Sequence, residues 1–341
     1  MKDITYHESL QVENALYIDV RSPFEFGIDH IPGAVNIPLF SDKERIEVGT
    51  LYRMTGRDEA VFRGTEIVGE KLRTMIEKFM AYKNKNIVIY CARGGMRSSS
   101  VASLLSSLGM TVFRIIQGYK GYRRHVNESL ASLTVTTPLI VLQGLTGTGK
   151  TEILKMMENT IDLEGMAGHR SSIFGGIGLS QSTQKYFESQ LLQRIHDLKT
   201  APYIVIEGES QKIGNLHIPD AFFRIMRNSK AILINTDMER RIDIITGEYA
   251  HYSNAHVIND IVMTLTTKLG SRNVDLLISL YREGNIREFT RLLLEKYYDP
   301  RYVHSMNRMS YIGAIDNVDT HSTARAVEKA IRDHLDSEKR L

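Results

Sequence analysis

The sequence predicts an α/β protein with two domains, each built on a parallel sheet, and with a mostly helical C-terminal part. Over the first 130 residues, short apolar runs alternate with helical patterns. A polar stretch, Ser129–Pro138, interrupts this alternation, and a second alternation follows it. Strands that alternate with helices indicate a parallel sheet whose faces are covered by helices. A chain of 341 residues is long enough for two such cores, so we predict domains at 1–130 and 136–341.

In the first domain, strands are predicted where short apolar runs lack a helical period, and helices where apolar residues recur on one face. The predicted strands are Ala15–Val20, Asn86–Tyr90 and Thr111–Ile116, and the predicted helices are Glu66–Tyr82 and Ser98–Gly109. The glycine at the end of the second helix is a typical stop signal, because it readily takes the left-handed conformation.

The same patterns define the elements of the second domain. Its predicted strands are Leu139–Gln143, Tyr203–Glu207, Ala231–Asn235 and Tyr311–Ile315, and its predicted helices are Lys150–Asn159, Thr183–Lys199 and Ala324–Ser337. From Met238 to Tyr298 the pattern is mostly helical. Asp299-Pro300 is predicted to end it, since proline removes a helical hydrogen bond.

The composition is that of an ordinary globular protein, with 42% hydrophobic and 24% charged residues. The formal net charge of +3 is too small to indicate a nucleic-acid partner by itself. No run approaches the roughly 20 apolar residues of a membrane-spanning helix, and the N-terminus lacks the apolar segment of a signal peptide. The single cysteine excludes an internal disulfide and a Cys-x-x-Cys pair. We therefore expect a cytoplasmic protein without a membrane partner.

That single cysteine begins a loop, Cys91-Ala92-Arg93-Gly94-Gly95-Met96-Arg97-Ser98, between a predicted strand and a predicted helix. A glycine-rich turn at such a place points backbone amides at one spot, where the helix dipole favours an anion. Gly94 and Gly95 permit the required dihedral angles. Arg97 can bind two oxygens of an oxyanion, and Arg93 is a second cation. Cys91 is then a candidate nucleophile, and Ala92, Met96 and Ser98 complete the loop. The alternative is that Cys91 is a small buried apolar residue.

Two segments ahead of this loop carry a family resemblance. Asp19-Val20-Arg21-Ser22-Pro23-Phe24-Glu25-Phe26 and His30-Ile31-Pro32-Gly33-Ala34-Val35-Asn36-Ile37-Pro38 resemble, together with the cysteine loop, the rhodanese domain over residues 4–126. In that family Asp19, Arg21 and His30 would accompany a loop that carries a persulfide. Five residues separate Cys91 from Arg97, whereas many rhodaneses have four. The wider spacing is that of cysteine-dependent phosphatases, so the loop alone does not choose between phosphatase chemistry and chalcogen transfer.

A second loop, Gly144-Leu145-Thr146-Gly147-Thr148-Gly149-Lys150-Thr151, matches the pattern G-x-x-x-x-G-K-[ST]. It lies between a predicted strand and a predicted helix, which is the context that this motif requires. The motif indicates a P-loop NTPase-like domain. Its backbone amides and Lys150 would bind phosphates, and Thr151 could bind Mg²⁺.

Two further pairs of residues are candidates for the metal or the substrate. Glu207 and Glu209 follow a predicted strand, and they would assist the metal or position a polar substrate. The alternative is that both are solvated carboxylates. His169 and Arg170 belong to a polar connection that either lines a substrate pocket or forms a plain surface loop.

A rhodanese-like domain ahead of a P-loop domain resembles the tRNA 2-selenouridine synthases over nearly the full chain. Besides the two loops, the shared signatures are Glu47–Thr50, His169–Gly175, Gln184–Glu188, Glu207–Ser210 and Ile213-Gly214. Ala92 stands where that family is expected to have an aromatic residue, and Ser171 where it is expected to have glycine. Neither departure removes a charged or nucleophilic group, so they concern pocket shape more than reaction type.

The resemblance implies that selenium replaces sulfur in the 2-thiouridine of a tRNA anticodon loop, with selenophosphate as the donor. It also implies S-geranylation of the same base from geranyl diphosphate, which turns the sulfur into a leaving group. Cys91 would act at selenophosphate, through a Cys–Se intermediate, with Arg97 and Arg93 holding the oxygens. The P-loop would bind the diphosphate of the prenyl donor or a nucleoside triphosphate. An enzyme that supplies selenophosphate is an expected partner.

Two alternative functions remain open from the residues alone. One is a cysteine phosphatase of rhodanese fold, and the other is a sulfurtransferase, each fused to an NTP-binding domain.

If tRNA is the substrate, its loop bases can be splayed out and stacked on aromatic side chains. Tyr119, Tyr122, Arg123 and Arg124 are candidates for such contacts, or else they form an ordinary amphipathic surface.

Overall fold

The computed structural model describes residues 1–249, 255–301 and 309–340. The chain forms two compact units. The first contains Met1–Ser132 and Glu188–Leu192, and the second contains Leu133–Phe187 and Gln193–Leu341. Among the helices in the described residues, none has the length and apolarity needed to cross a membrane.

The first unit is built on a five-stranded parallel sheet. Its elements are β1 Lys2–Ile4, α1 Tyr6–Ser9, β2 Ala15–Asp19, α2 Pro23–Ile28, β3 Val35–Asn36, α3 Asp42–Met54, α4 Arg57–Met80, β4 Asn86–Tyr90, α5 Met96–Ser107, β5 Val112–Ile115 and α6 Gly118–Ala131. The strand order is β1-β5-β4-β2-β3. Asp19 pairs with Tyr90 in the register of β2 and β4. The segments that follow these two strands therefore leave the sheet at the same edge.

The second unit has its own five-stranded parallel sheet, in the order β12-β11-β6-β8-β7. Its elements are β6 Leu139–Gln143, α7 Lys150–Lys155, β7 Thr160–Ile161, α8 Leu163–Ala167, α9 Gln184–Asp197, β8 Ile204–Glu207, β9 Lys212–Ile213, β10 Leu216–His217, α10 Asp220–Asn228, β11 Lys230–Asn235, α11 Met238–Tyr249, α12 Ala255–Met263, α13 Thr266–Leu269, α14 Ser271–Arg282, α15 Ile286–Leu293, a π-helical turn Leu294–Tyr298, β12 Ser310–Asp316 and α16 Thr320–Glu338. The helices from α11 to the π-helical turn bury a separate apolar cluster, which includes Phe174, Leu277 and Leu293.

The predicted fold class is confirmed: the strands of two parallel sheets alternate with helices along the chain, and the C-terminal part is mostly helical. The apolar runs that predicted strands form β2, β4, β5, β6, β8, β11 and β12. The helix predicted at Lys150–Asn159 ends at Lys155, and the chain then passes through Asn159, which has a positive φ of 56°, into β7. Periodicity does not predict α3, which has no fully buried residue and so lacks a strong apolar face.

The prediction that Asp299-Pro300 ends the helical region is wrong, since both residues and Arg301 are helical. A proline ring crowds the carbonyl four residues before it. Here that carbonyl belongs to Lys296, in the π-helical turn. Hydrogen bonds in such a turn span five residues instead of four, which eases the conflict with the ring.

Candidate active sites

The cysteine lies at the base of a loop that joins β4 to α5. Cys91 is only 3% exposed, and the Ser98 hydroxyl donates a hydrogen bond to its Sγ over 3.2 Å. The Cys91 Sγ also lies 3.9 Å from the carbonyl oxygen of Gly95. Gly95 is the N-cap of α5 and provides no side-chain cap. The amides of the first turn of α5 are therefore available to an anion.

Two glycines allow the loop to pack backbone against backbone. Gly94 has a φ of +67°, and a Cβ on it would lie 2.7 Å from the Gln117 nitrogen and 2.8 Å from the Ile115 oxygen. Gly118 has a φ of +54°, and a Cβ there would lie 2.1 Å from the Cys91 oxygen. The cysteine loop is thus held in place by the connection between β5 and α6.

Four arginines lie around this loop, and two of them share one carboxylate. Arg97 donates to both oxygens of Glu25, over 2.7 and 3.4 Å. The Arg45 Nε lies 3.7 Å from the same carboxylate. Arg93 is exposed. The fourth, Arg114, donates to the Gly94 carbonyl over 3.0 Å.

The loop motif did not point to Arg45 or Arg114. Arg114 is the lone charged residue of β5, and a charge inside a short apolar strand is a signal that could have found it. Arg45 lies on α3, which the sequence did not predict, so no local pattern connects it with the loop.

The three residues of the rhodanese signature have structural contacts. The buried Asp19 accepts from Arg21 over 2.8 and 2.6 Å. Burial raises the pKa of Asp19, although the Arg21 hydrogen bonds oppose that rise. The Arg21 guanidinium lies 4.0 Å from the centre of the Tyr119 ring. The His30 Nδ1 lies 2.9 Å from the Phe26 carbonyl oxygen. The His30 and Phe26 rings stack with their centres 3.8 Å apart. These contacts fix the segments beside the cysteine loop.

Two of the four residues predicted for tRNA stacking and phosphate contact are buried. Tyr122 is 2% and Arg123 is 9% exposed, so neither is available to a nucleic acid. The Tyr119 hydroxyl donates to the buried Asp29 carboxylate over 2.6 Å. Arg124 is exposed. Tyr122 and Arg123 therefore serve packing, whereas Arg124 remains a predicted tRNA contact.

The second loop connects β6, in the centre of its sheet, with α7. Lys150 donates to the carbonyls of Gly144 over 2.8 Å and Leu145 over 3.2 Å. Gly147 has a φ of +79°, and a Cβ on it would lie 2.7 Å from the Ile245 Cδ1. The lysine thus lies against its own loop, and an apolar side chain of α11 closes over that loop.

Side chains from other elements bind the carbonyls of this loop. Thr236 and Asn317 both donate to the Thr148 oxygen, over 3.1 and 2.8 Å. Arg241 donates to the Thr146 oxygen over 2.9 Å. The loop motif does not include these residues, because each comes from a distant part of the chain. These donors fix the conformation of the loop through its carbonyls.

Carboxylates surround Thr151 at the start of α7. Its hydroxyl donates to Glu164 over 3.1 Å and lies 3.4 Å from Glu207. Glu207 is fully buried, and burial together with Glu164 raises its pKa well above the ordinary value. Burial and Glu164 also raise the pKa of Glu209 to about 7. Glu207 therefore lies beside Thr151 together with Glu164, which the structure adds, and Glu209 lines the same cavity as Thr151.

Hydroxyl and carboxylate oxygens are ligands of the kind that Mg²⁺ takes, commonly with substrate phosphates completing the shell. Thr151, Glu164 and Glu207 fit that requirement chemically. The described parts of the chain contain no group of three or more His, Cys, Asp or Glu residues arranged for a metal. A magnesium ion here would depend on the phosphates of its substrate.

His169 and Arg170 have different environments. Glycines enclose the His169 ring: a Cβ on Gly214 would lie 2.7 Å from its Cδ2, and burial lowers the pKa of His169. The Arg170 guanidinium lies 5.3 Å from the centre of the Tyr249 ring and 3.9 Å from Glu248. Arg170 faces a cavity, whereas His169 shapes the connection behind it.

This cavity has a volume of about 340 Å³ and a lining of two chemically distinct kinds. Its polar lining consists mainly of residues 146–152, Glu164, Arg170, Ser171 and Glu209. Its apolar lining includes Phe174, Ile244, Ile245, Ile258, Phe289 and Leu293. Binding pockets for small molecules commonly start at about 300 Å³ and combine an apolar wall with a few polar groups. The cavity therefore suits a ligand with a phosphorylated head and an apolar body.

Both loops lie within segments that match known families. Residues 5–125 match the rhodanese-like domain, and residues 137–269 match the family described as tRNA 2-selenouridine synthase AAA domain. A tRNA 2-selenouridine synthase from Hydrogenovibrio crunogenus is 31% identical, over 88% of this chain and 92% of the relative. One from Pseudomonas syringae pv. tomato is 30% identical, over 90% of this chain and 94% of the relative. The chain therefore belongs to the tRNA 2-selenouridine synthase family.

Proposed function

We propose that this protein replaces the sulfur of a 2-thiouridine in the anticodon loop of tRNA by selenium, with selenophosphate as the donor. Membership of the family supports the tRNA selenation. We further propose that the base is first S-geranylated from geranyl diphosphate. The observation that carries this step is the cavity in which the P-loop adjoins an apolar wall.

The wall favours a prenyl chain over a nucleoside. A base and a ribose would bury polar atoms that need hydrogen-bond partners, and an unpaired buried polar group is costly. The side chains of Ile244, Ile245 and Phe289 offer none. A geranyl group buries only carbon, and apolar burial is favourable at about 25 cal/mol per Å².

In the first step, the sulfur of 2-thiouridine attacks the C1 carbon of geranyl diphosphate. A C–S bond forms, the C–O bond breaks, diphosphate leaves, and the base loses its N3 proton. Lys150, Arg170 and the P-loop amides would bind the diphosphate and stabilise the charge that develops on it. Thr151, Glu164 and Glu207 would hold Mg²⁺ beside it, which would neutralise further charge.

In the cysteine site, the amides at the start of α5, with Arg93 and Arg97, would hold selenophosphate. A Cys–Se bond formed directly from this donor would have to expel trivalent phosphorus, which makes that intermediate unfavourable. Attack of the Cys91 thiolate on phosphorus instead forms a P–S bond and breaks the P–Se bond. It releases hydrogen selenide, and water later hydrolyses the thiophosphate. The phosphatase-like spacing of the loop fits this step.

In the last step, selenide attacks C2 of the S-geranylated base. A C–Se bond forms, the C–S bond breaks, and geranyl thiolate leaves and takes up a proton. The alkylated sulfur is a better leaving group than the sulfur of a thiocarbonyl. The order of the two chemistries follows from this difference.

The proposal can be tested with the purified protein, 2-thiouridine-containing tRNA, geranyl diphosphate and selenophosphate. Mass spectrometry of the digested nucleosides should show S-geranyl-2-thiouridine when selenophosphate is omitted, and 2-selenouridine when both donors are present. Selenation that proceeds at the same rate without any prenyl donor would contradict the geranyl intermediate. Hydrolysis of phosphate esters without any nucleoside change would favour the phosphatase alternative.

A further inference from the structure

The apolar part of the cavity contains a row of aromatic rings that leads away from the phosphate-binding end. The row starts beside Arg170, whose guanidinium lies 5.3 Å from the centre of the Tyr249 ring. From Tyr249 the ring centres are 6.3 Å apart to Phe174, then 6.1 Å to Phe289, then 5.5 Å to Tyr281. All four rings line the cavity. The contacts therefore order the rings from the cation at the polar end to Tyr281.

Charged groups in the lining are confined to the polar end. Glu248 lies beside Arg170 at 3.9 Å, and the other charged lining residues belong to the P-loop or to the carboxylates near Thr151. Of the described residues that line the cavity, those from α12, α14 and α15 carry no charge. A ligand whose head is bound at the P-loop must therefore extend its apolar part toward α14 and α15.

We propose that Phe289 and Tyr281 set the length of the prenyl chain, so that a C10 allylic diphosphate is used in preference to a C15 one. This inference rests on the proposed geranyl transfer. With the diphosphate fixed at the P-loop, prenyl chains of increasing length pass the rings in order and reach Phe289 and Tyr281 last. Phe289 is only 7% exposed and packs between two other rings. Because protein interiors are close-packed, further carbons have no room unless these rings move.

The experiment compares dimethylallyl, geranyl and farnesyl diphosphates as donors to 2-thiouridine-containing tRNA, using the full-length protein. The variants are Phe289→Ala, Phe289→Leu and Tyr281→Ala, and the control is Phe62→Ala, whose side chain is 65% exposed in the first unit. The measured quantity is kcat/KM for each donor. One methylene in an apolar pocket changes kcat/KM by about 10- to 200-fold, so we expect the farnesyl-to-geranyl ratio to rise at least about tenfold in Phe289→Ala. Phe289→Leu should raise the ratio less, and Phe62→Ala should leave it unchanged.

Thermal unfolding of each variant shows whether it is folded. If Phe289→Ala does not fold, the donor preferences of Phe289→Leu and Tyr281→Ala test the length-setting role. Folded variants with an unchanged farnesyl-to-geranyl ratio would overturn the length-setting role. Geranyl transfer that still depends on Lys150 would at the same time leave the proposed function standing. A wild-type protein that uses farnesyl and geranyl diphosphates equally would also overturn the role.

Discussion

Arg97 presents a planar set of donors that suits a tetrahedral anion, and Glu25 accepts two hydrogen bonds from it. Burial, the largest single effect, would raise the pKa of Glu25, but the hydrogen bonds and charge of Arg97, the Ser22 amide and the charge of Arg45 together outweigh it, and the pKa is lowered. Glu25 is thus ionised at neutral pH and holds Arg97 beside the cysteine loop. A bound oxyanion would accept hydrogen bonds from the Arg97 donors that do not bind Glu25.

We predict that Arg97→Lys lowers the rate of selenation. Lysine keeps the charge but loses the planar pair of donors. One hydrogen bond to a charged group contributes about 1.5–3 kcal/mol, so the rate should fall about 10- to 100-fold. The measurement is 2-selenouridine formation at limiting selenophosphate. Arg73→Lys is the control, since Arg73 is 92% exposed on α4. Normal turnover by Arg97→Lys would show that Arg97 has only a structural role, in its ion pair with Glu25.

The two neighbouring glycines of the cysteine loop give a matched pair for stability. Gly94→Ala would place a Cβ 2.7 Å from the Gln117 nitrogen at a positive φ, whereas a Cβ on Gly95 meets nothing within 4 Å. Overpacking of this kind costs about 1–3 kcal/mol, so Gly94→Ala should lower the free energy of unfolding by that amount. Gly95→Ala should change it much less. Denaturant unfolding of both variants tests this, and equal effects would show that the close backbone packing is not what requires glycine.

At the level of elements, α11 connects the helical part to the P-loop. Arg241 on α11 donates to the Thr146 carbonyl and is paired with Asp299 over 2.6 and 3.0 Å. The Arg241 side chain is 4% exposed. One buried guanidinium thus binds both the phosphate-binding loop and the end of the π-helical region. The loop and the apolar wall of the cavity are thereby held in a fixed relation.

We predict that Asp299→Ala destabilises the protein and weakens diphosphate binding together. It leaves the buried Arg241 without its carboxylate partner, and breaking a fully buried ion pair costs about 3–5 kcal/mol, which is an upper bound here because the Asp299 side chain is 24% exposed. Arg287 on α15 forms exposed ion pairs with Glu239 and Asp243 of α11. Arg287→Ala, which breaks them, should have a small effect. Thermal unfolding and binding of inorganic diphosphate are the measurements. Unchanged diphosphate binding in a destabilised Asp299→Ala variant would contradict the coupling.

The sequence predicted best what is encoded locally. The two loops are runs of adjacent residues, and each follows a strand whose apolar run is easy to recognise. Glu164 and Arg241 could not be found in this way, because their partners lie far away in the chain and only folding brings them together. Pro300 misled the prediction for a related reason: its compatibility with a helix depends on a π-helical turn, which has no clear sequence signal.

For the whole molecule, each compact unit contains one site and its own core. The cysteine loop belongs to the first unit, and the P-loop with its cavity belongs to the second. The proposed chemistry divides in the same way, since prenyl transfer uses a diphosphate and the substrate's own sulfur. Chalcogen delivery, as proposed, uses the Cys91 thiol. The two activities should therefore be separable by single substitutions.

Lys150→Ala should abolish prenyl transfer, because Lys150 would neutralise the diphosphate as it binds and leaves. Loss of a donor that stabilises developing charge typically lowers the rate about 100- to 1,000-fold. Lys155→Ala on the same helix is the control, since Lys155 is 54% exposed and pairs with Glu152. The measurement is S-geranyl-2-thiouridine in tRNA incubated with geranyl diphosphate alone. Undiminished geranylation by Lys150→Ala would exclude the P-loop as the prenyl-donor site.

Cys91→Ala should have the complementary effect: selenation stops while geranylation continues. The chain has no second cysteine to take over, and the attack on phosphorus that frees selenide requires a thiolate. Prenyl transfer needs no protein thiol, so the alkylated base has no further reaction and S-geranyl-2-thiouridine should accumulate in tRNA. Nucleoside mass spectrometry with both donors present measures this directly. Formation of 2-selenouridine by the variant would exclude Cys91 from the reaction. Loss of both activities in a folded variant would mean that the two sites act as one coupled centre.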